Sequence, residues 1–309
     1  MKVLIIDDMH ESITELLRAI GLESDYRPDI TKEELLEVIG NYEGILVRSK
    51  VFFGKDIIEK AARLQFIGRA GAGLDNLDVE ELTRRNIKLV NAPEGNRDAV
   101  AEQAIGMLLC LMNNVLRADK EVRNNKWDRE GNRGYELMGR TVGIIGYGYM
   151  GRATAKRLSS FGCKVLAYDK YKKNYGDEFA QVASMDELQK EADVLSLHIP
   201  LTPETKYMVD YNYLNAFQKP LWLINTARGE IAKMSELVKA IQSGKLRGAA
   251  LDVLENEKIK QLTPEQQEAF DFLKSTDKVL LTPHIAGWTF ESYRKINEAL
   301  VEKIKQILI

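Results

Sequence analysis

Thr141-Val142-Gly143-Ile144-Ile145-Gly146-Tyr147-Gly148-Tyr149-Met150-Gly151-Arg152 is the stretch from which the rest of the chain is read. An apolar, β-rich run ends in a glycine turn, and a helix-compatible segment from Arg152 to Ser160 follows. Gly146, Gly148 and Gly151 satisfy G-x-G-x-x-G in the strand–turn–helix setting that gives the pattern its weight. Gly146 permits the tight turn, Gly148 lets the backbone approach a pyrophosphate, and Gly151 lets the helix pack on its strand. The helix N-terminus offers N–H groups and the positive end of its dipole to phosphates. A second strand, Lys164–Tyr168, ends at Asp169, where an acid accepts from a ribose 2′-hydroxyl and repels a 2′-phosphate. The stretch predicts an NAD site, with Lys170, Lys172 and Lys173 close enough to temper the preference over NADP.

A chain of 309 residues suggests two domains. With 45% hydrophobic and 29% charged residues it can bury sizeable cores, which points to a soluble globular protein. A net charge of −2 and the lack of a long basic run argue against nucleic acid as a partner. The opening Met1–Asp8 is too short and too soon acidic for a signal peptide, and no apolar run could span a bilayer, so no membrane is expected. Cys110 and Cys163 lie far apart in apolar surroundings, which fits buried thiols in a reducing cytoplasm better than a disulfide. His10, His198 and His284 are the only histidines, and without clustered Cys/His spacing no metal site is expected.

The N-terminal third alternates strand and helix. Val3–Ile6 is an apolar strand, and Ser12–Ile20 carries helical spacing through Ile13, Leu16, Leu17 and Ile20. Thr31 and Glu34 make a capping box ahead of Leu35, Leu36, Val38 and Ile39. Strand Gly44–Arg48, a helix near Lys55–Ala62, strand Gln65–Ile67, helix Asp78–Arg85 and strand Ile87–Val90 follow. This βαβ series predicts a parallel sheet covered by helices. Its opening, Val3–Asp8, resembles a phosphorelay receiver domain, which needs an acceptor aspartate at the end of the third strand. Val47-Arg48-Ser49-Lys50 supplies none, and that reading is discarded.

Ala99–Leu116 reads as one long helix, and Asp119 to Arg140 is strongly polar around Trp127. A second βαβ series follows the glycine turn, with strands Val194–Leu197, Leu221–Ile224, Gly248–Leu251 and Lys278–Leu281. Ligands of open α/β sheets bind outside the carboxyl ends of such strands. Phe290–Ile309 is amphipathic, with Ile296, Leu300, Ile304 and Ile307 on one side. No Pro/Ser-rich linker is present, so helices must join the domains, with Ala99–Leu116 and the C-terminal helix as candidates.

A dinucleotide site implies hydride transfer, and a hydroxy acid substrate then needs a base for its hydroxyl proton. Histidine suits that task by pKa. His284, in Thr282-Pro283-His284-Ile285-Ala286-Gly287, stands just past a strand end. His198, in Leu197-His198-Ile199-Pro200, is either a cofactor-side or a structural histidine, and His10 lies in a charged turn. A carboxylate that orients the base also raises its pKa, and Asp252 and Glu257 follow another strand. A 2-oxo acid needs a cation as well, which Arg228 in Asn225-Thr226-Ala227-Arg228-Gly229-Glu230 can supply bidentately. Each alone reads as a solvated loop charge, a reading that weakens when arginine, acid and histidine fall after successive strands of one sheet.

Ile67–Asp78, Asn91–Asn96, Gly146–Gly151, His198–Thr202, Asn225–Gly229, Ala249–Val253 and Pro283–Gly287 are together similar to the D-2-hydroxyacid dehydrogenases, and within them to the D-3-phosphoglycerate dehydrogenase branch. The resemblance implies an α/β fold of two Rossmann-like, doubly wound parallel-sheet domains, with the cofactor domain inserted into a flavodoxin-like substrate domain. The implied boundaries are 1–98 with 287–309 for the substrate domain and 99–286 for the NAD domain. Arg228, Glu257 and His284 become the catalytic arginine, acid and base. Gly146, Gly148, Tyr149, Met150 and Gly151 would adjoin the pyrophosphate, Asp169 the adenosine ribose and Asp252 the nicotinamide amide. Ala72, His198, Ile199, Pro200, Thr205, Thr226, Ala227, His284 and Gly287 complete the implied cofactor contacts. The Ala70–Gly73 loop would present amides to the substrate carboxylate, making Arg48, Ser49, Ala72, Gly73, Asn96 and Arg228 the implied substrate contacts.

Three departures matter. Tyr149-Met150 stands where the family's turn commonly reads Arg-Ile, so backbone contacts survive and a side-chain phosphate contact does not. Lys258 follows Glu257 where proline is usual, so that loop is expected to sit differently. The sequence ends at Ile309 without the regulatory domain many phosphoglycerate dehydrogenases append, so serine feedback through such a domain is not expected. The expected activity is NAD-dependent oxidation of a D-2-hydroxy acid to the 2-oxo acid, with D-3-phosphoglycerate, a serine precursor, as leading substrate. Arg48 either pairs with a phosphate or is a strand-end surface arginine. The alternatives are a glyoxylate or hydroxypyruvate reductase and a non-catalytic NAD-sensing protein like the C-terminal-binding-protein corepressors. A cytoplasmic homodimer is expected, with the arm around Trp127 contributing to its interface.

Overall fold

The computed structural model describes residues 1–308; Ile309, the expected last residue of the C-terminal helix and of the substrate domain, lies outside the described residues. The first apolar runs become β1 (Lys2–Ile5), β2 (Glu23–Tyr26), β3 (Gly44–Val47), β4 (Phe66–Arg69) and β5 (Lys88–Asn91). Helices α1 (Ser12–Ala19), α2 (Lys32–Val38), α3 (Lys55–Lys60) and α4 (Val79–Arg84) connect them. Then come α5 (Pro93–Met112) and α6 (Val115–Arg123), followed by β6 (Thr141–Ile145), α7 (Tyr149–Leu158), β7 (Lys164–Tyr168) and β8 (Gln181–Val182). The chain continues through α8 (Met185–Glu191), β9 (Val194–Leu197), α9 (Tyr211–Asn215), β10 (Leu221–Asn225), α10 (Met234–Gln242) and β11 (Leu246–Leu251). Helix α11 (Pro264–Ser275), β12 (Val279–Leu281) and α12 (Phe290–Leu308) end it.

Two parallel sheets result, one of five strands in the order β2-β1-β3-β4-β5 and one of seven in the order β12-β11-β10-β9-β6-β7-β8. The first order is flavodoxin-like; the second contains the dinucleotide-binding order, extended by β12. The chain divides into two units, Met1–Arg97 with the segment from Trp288 onward, and Asp98–Gly287, so the second interrupts the first.

Strand periodicity of two explains how the five-stranded sheet is covered. Val3, Ile5 and Leu46 pack on one face with Ile13 and Leu17 of α1 and Ile296, Leu300 and Ile304 of α12. Leu4, Ile6, Ile45 and Val47 pack on the other with Leu35, Ile57, Ile58 and Leu82 of α2, α3 and α4. In the seven-stranded sheet, Leu195, Leu197, Leu223 and Leu251 face Leu188, Leu214, Leu237 and Leu273. Val142, Ile144, Val194 and Ile224 face Ala104, Leu108, Met112, Ala155 and Leu158. Leu223 is fully buried, so truncating it to Ala would cost about 2–5 kcal/mol.

Local signals account for several boundaries. The Thr31–Glu34 capping box forms as expected, and two more, Ser184–Glu187 and Thr263–Gln266, start α8 and α11. The long helix needs correction: it begins at Pro93, ends at Met112, and α6 is separate. Pro93 carries the fixed φ that suits a first helical position. Asn114 takes φ +54°, a left-handed conformation asparagine tolerates, and breaks the run. Strand β2 shows no apolar alternation because it is a polar sheet edge, Glu23-Ser24-Asp25-Tyr26. The two cysteines are free but only partly covered rather than buried. No single helix among the described residues is long and apolar enough to cross a membrane.

Candidate active site

Strand β6 is buried along its whole length and runs into Gly146, whose φ is +90°. A Cβ there would lie 2.6 Å from the His198 carbonyl oxygen, and a Cβ on Gly151 would collide with the Gly146 carbonyl. Both positions exclude side chains for packing reasons alone. Gly148 differs: no heavy atom lies within 4 Å of where its Cβ would be, so the turn is open on that side. Gly148 caps α7 without a side-chain hydrogen bond, and the helix starts at Tyr149, three residues before the expected Arg152. That leaves an open turn at the positive end of a helix, which suits a phosphate.

Strands β7 and β9 flank β6, so the loops after them border the turn. Asp169 ties these pieces together: Oδ2 accepts the Tyr147 N–H at 2.9 Å, and Oδ1 accepts those of Tyr171 and Lys172 at 3.1 Å. After β9, His198 Nε2 lies 2.8 Å from Ser196 Oγ, and burial pushes the ring's pKa down to about 4. A ring so placed is neutral near pH 7, and the His198 part that adjoins the glycine turn is backbone. Thr205 Oγ1 donates to the Pro200 carbonyl at 2.7 Å and accepts the Thr202 N–H at 2.8 Å, shaping the same loop as Ile199.

The second group of candidates stands after β10, β11 and β12. Asn225, 1% exposed, was not singled out from the sequence, yet it templates the β10 loop. Its Oδ1 accepts the Ala227 N–H at 3.1 Å and its Nδ2 donates to the Arg228 carbonyl at 3.0 Å. Arg228 Nη1 donates to the Ala227 carbonyl at 2.7 Å. Gly229 is required because a Cβ would collide with the Leu254 carbonyl, which draws the β10 and β11 loops together.

Asp252 is also 1% exposed, and its carboxylate is built into the histidine loop. It accepts the Thr282 hydroxyl at 2.5 Å and the N–H groups of Ile285 and Ala286, each at 2.9 Å. His284 sits in that loop with φ +55°, a conformation few non-glycine residues adopt and one that concentrates at functional sites. Its Nδ1 lies 2.9 Å from Glu257 Oε1. A carboxylate can only accept, so the proton sits on Nδ1 and the lone pair on Nε2. The hydrogen bond to Glu257 raises the His284 pKa above its ordinary value, against burial and the charge of Arg228. Lys258, at the position where the sequences it resembles usually have proline, uses the N–H that proline lacks: it donates to Asn256 Oδ1 at 3.0 Å.

In the other unit, buried Asp7 accepts the N–H groups of Arg48 at 2.7 Å, Ser49 at 3.3 Å and Lys50 at 3.1 Å. The acid that made the N-terminus look receiver-like is therefore a loop anchor. Arg48 Nη1 donates to the Asp8 carbonyl at 3.2 Å, and its guanidinium lies 4.2 Å from the Trp288 ring centre and 5.4 Å from that of Tyr293. The Tyr26 and Tyr293 hydroxyls both donate to the Asp8 carboxylate at 2.9 Å. The Ala72 carbonyl accepts from Asn91 Nδ2 at 2.7 Å, which holds the loop carrying Gly73. Asp7 and Arg48 follow β1 and β3, the two strands between which the strand order reverses, and Ala72 and Gly73 follow β4 beside them.

Two buried oxygens test whether ligands fit. Thr226 Oγ1 and Asn96 Oδ1 have no hydrogen-bond partner among the described residues. A buried polar atom left unsatisfied costs about 1–3 kcal/mol, so such atoms mark places where a ligand or water completes the bonding. Thr226 is an expected cofactor contact and Asn96 an expected substrate contact. No group of acidic, histidine or cysteine residues among the described residues could hold a metal ion.

Comparison with known proteins gives this geometry a family. Residues 105–286 match the model of the D-isomer specific 2-hydroxyacid dehydrogenase, NAD binding domain. A D-3-phosphoglycerate dehydrogenase of Methanocaldococcus jannaschii is 37% identical over 100% of this chain and 57% of its own length. The chain thus spans little more than half of that relative. A hydroxypyruvate reductase of Thermotoga maritima is 35% identical over 98% of this chain and 97% of its own length. The crystal structure of a D-lactate dehydrogenase from Aquifex aeolicus, complexed with NAD and lactic acid, superposes with a TM-score of 0.83. It is 28% identical, and the match covers 100% of this chain and 95% of that one. With its nucleotide-type sheet, its glycine turn and this match along its length, the chain belongs to the D-isomer specific 2-hydroxyacid dehydrogenase family.

Proposed function

We propose that the protein is an NAD-dependent dehydrogenase that oxidises a D-2-hydroxy acid to the 2-oxo acid, with D-3-phosphoglycerate as substrate. The observation that carries the reading is the 2.9 Å pair of His284 Nδ1 and Glu257 on a loop locked by Asp252, with Arg228 after a neighbouring strand. Bound NAD would supply the hydride acceptor. Gly146, Gly148, Tyr149, Met150 and Gly151 would hold its pyrophosphate by backbone, Asp169 its ribose, and Thr226 Oγ1 would gain the partner it lacks.

Arg228 binds the substrate carboxylate and orients the carbon that reacts. His284 Nε2 takes the hydroxyl proton, and Glu257 stabilises the imidazolium that forms. In the reductive direction the same nitrogen returns the proton. On this reading residues 99–286 hold the cofactor together with Arg228, Glu257 and His284, and 1–98 with the segment from 287 form the substrate-binding domain.

The phosphate reading rests on Arg48. Its guanidinium is held over the Trp288 and Tyr293 rings and by the Asp8 carbonyl, and a guanidinium held in place favours bidentate contact with a phosphate. Exposed Ser49 beside it, and Asn96 with its unmet Oδ1, suit the same ligand. The M. jannaschii relative's name agrees with this reading and would place the reaction in serine biosynthesis. A reductase acting on hydroxypyruvate is the rival, favoured by the T. maritima relative, 97% of whose length this chain matches.

Helix α6 has no buried residue, and Trp127 is 81% exposed, so the arm is proposed as part of a homodimer contact. The free thiols fit the reducing cytoplasm. Comparing kcat/KM for 3-phosphoglycerate, glycerate and hydroxypyruvate tests the assignment. Preference for the phosphorylated acid is expected, and a preference for hydroxypyruvate would replace it with the reductase reading.

A further inference from the structure

Asp169 would account for rejection of a 2′-phosphate only in part, because the cations of Lys170, Lys172 and Lys173 follow it. Lys172 is committed to the glycine turn, its Nζ donating to the Tyr147 carbonyl at 2.7 Å. Lys170 instead pairs with Glu204, and the Tyr171 hydroxyl donates to the second oxygen of the same carboxylate at 2.7 Å. Glu204 lies in Thr202-Pro203-Glu204-Thr205, the loop after β9, whereas Lys170 and Tyr171 follow β7. Since β6 lies between β7 and β9, this three-residue clasp joins the two loops on either side of the glycine turn.

We propose that Glu204 is a cofactor-selectivity residue, which disfavours NADP by engaging Lys170. The proposal rests on the NAD reading of the glycine turn. A lysine beside a ribose-binding carboxylate is the group a 2′-phosphate would seek, as a charge-assisted partner. Glu204 keeps that ammonium paired and adds a negative charge of its own, so a 2′-phosphate must break the pair or accept the repulsion. NAD asks neither, and its ribose hydroxyls meet Asp169 as before. The pair is half-exposed, with 54% and 48% of the two side chains accessible, so the effect is a modest selectivity and not an absolute gate.

Isothermal titration of NAD and NADP into the protein, Glu204→Gln, Lys170→Ala and the double variant tests this without reference to turnover. Glu204→Gln should tighten NADP by about fivefold and leave NAD within about twofold, the scale of one exposed charge pair. In the Lys170→Ala background the same substitution should do little for NADP. Unchanged NADP affinity in Glu204→Gln would overturn the proposal, as would an equal loss for both dinucleotides, which would make the clasp merely structural. An equal gain with and without Lys170 would show simple repulsion by Glu204 and remove the lysine from the account. Wild-type protein that binds neither dinucleotide would overturn the NAD reading itself, and the clasp with it.

Discussion

Asp7 and Asp252 are two buried carboxylates at the ends of strands in two different sheets, and each rigs the loop of a neighbouring strand. Asp7, after β1, holds the backbone of Arg48–Lys50 after β3. Asp252, after β11, holds Thr282, Ile285 and Ala286 after β12. The device is the same and what it presents differs. One loop presents a guanidinium held over aromatic rings, which can select by charge and shape. The other presents an imidazole paired with a carboxylate, which can move a proton. On the proposed function, the loop after β3 would serve selection of the substrate and the loop after β12 the proton transfer, each through the side chain that its anchor presents.

The largest effect is expected at the imidazole. His284→Ala should lower kcat by about 10²–10⁴, the usual contribution of a positioned general base, while NAD affinity measured by titration stays near wild type. Full activity would remove His284 from the mechanism. Next come the anchors. An asparagine at either position turns one accepting oxygen into an amino group facing a donor, so Asp252→Asn and Asp7→Asn should each lose about 1–3 kcal/mol in denaturant unfolding. Asp252→Asn should also depress kcat with every substrate. Asp7→Asn should instead raise KM, and only for the phosphorylated one. Identical kinetic profiles for the two variants would erase the distinction between the loops.

The smallest effect is on pH. His284 must be neutral to accept a proton, and its pKa is raised chiefly by Glu257, so oxidation should rise with pH through a midpoint above about 6.5. Reduction needs the protonated ring and should fall through the same midpoint. Glu257→Gln removes the raising charge, so the midpoint of kcat/KM should move to lower pH. A midpoint that stays in place would mean that Glu257 does not set the basicity of His284.

How much of this was legible follows from the range of the interactions. The glycine turn reads directly, because the geometry of a strand–turn–helix unit is local and Gly146 and Gly151 leave no room for a side chain. The strand ends carrying Arg228, Asp252 and His284 read from parallel-sheet logic, since a βαβ series places successive carboxyl ends side by side. Asp7 and Asn225 did not read, because an aspartate at residue 7 meets its partners some forty positions away and the asparagine's role is set by the shape of its loop. Strand β2 was lost because a polar edge strand has no alternation to detect, and the start of α5 because Glu94–Asp98 is polar though helical. The clasp of Lys170 and Glu204 joins loops after β7 and β9, so only strand order brings it into view.

The division between a selecting loop and a reacting loop is tested most directly at Arg48. Steady-state kcat/KM for 3-phosphoglycerate and for glycerate, measured with NAD on wild type and Arg48→Ala, reports both functions at once. A charge-assisted contact contributes about 1.5–3 kcal/mol, so the variant should lose about 10–100-fold on 3-phosphoglycerate and keep its rate on glycerate. An equal fall on both acids, or no preference for the phosphorylated acid in wild type, would contradict the account.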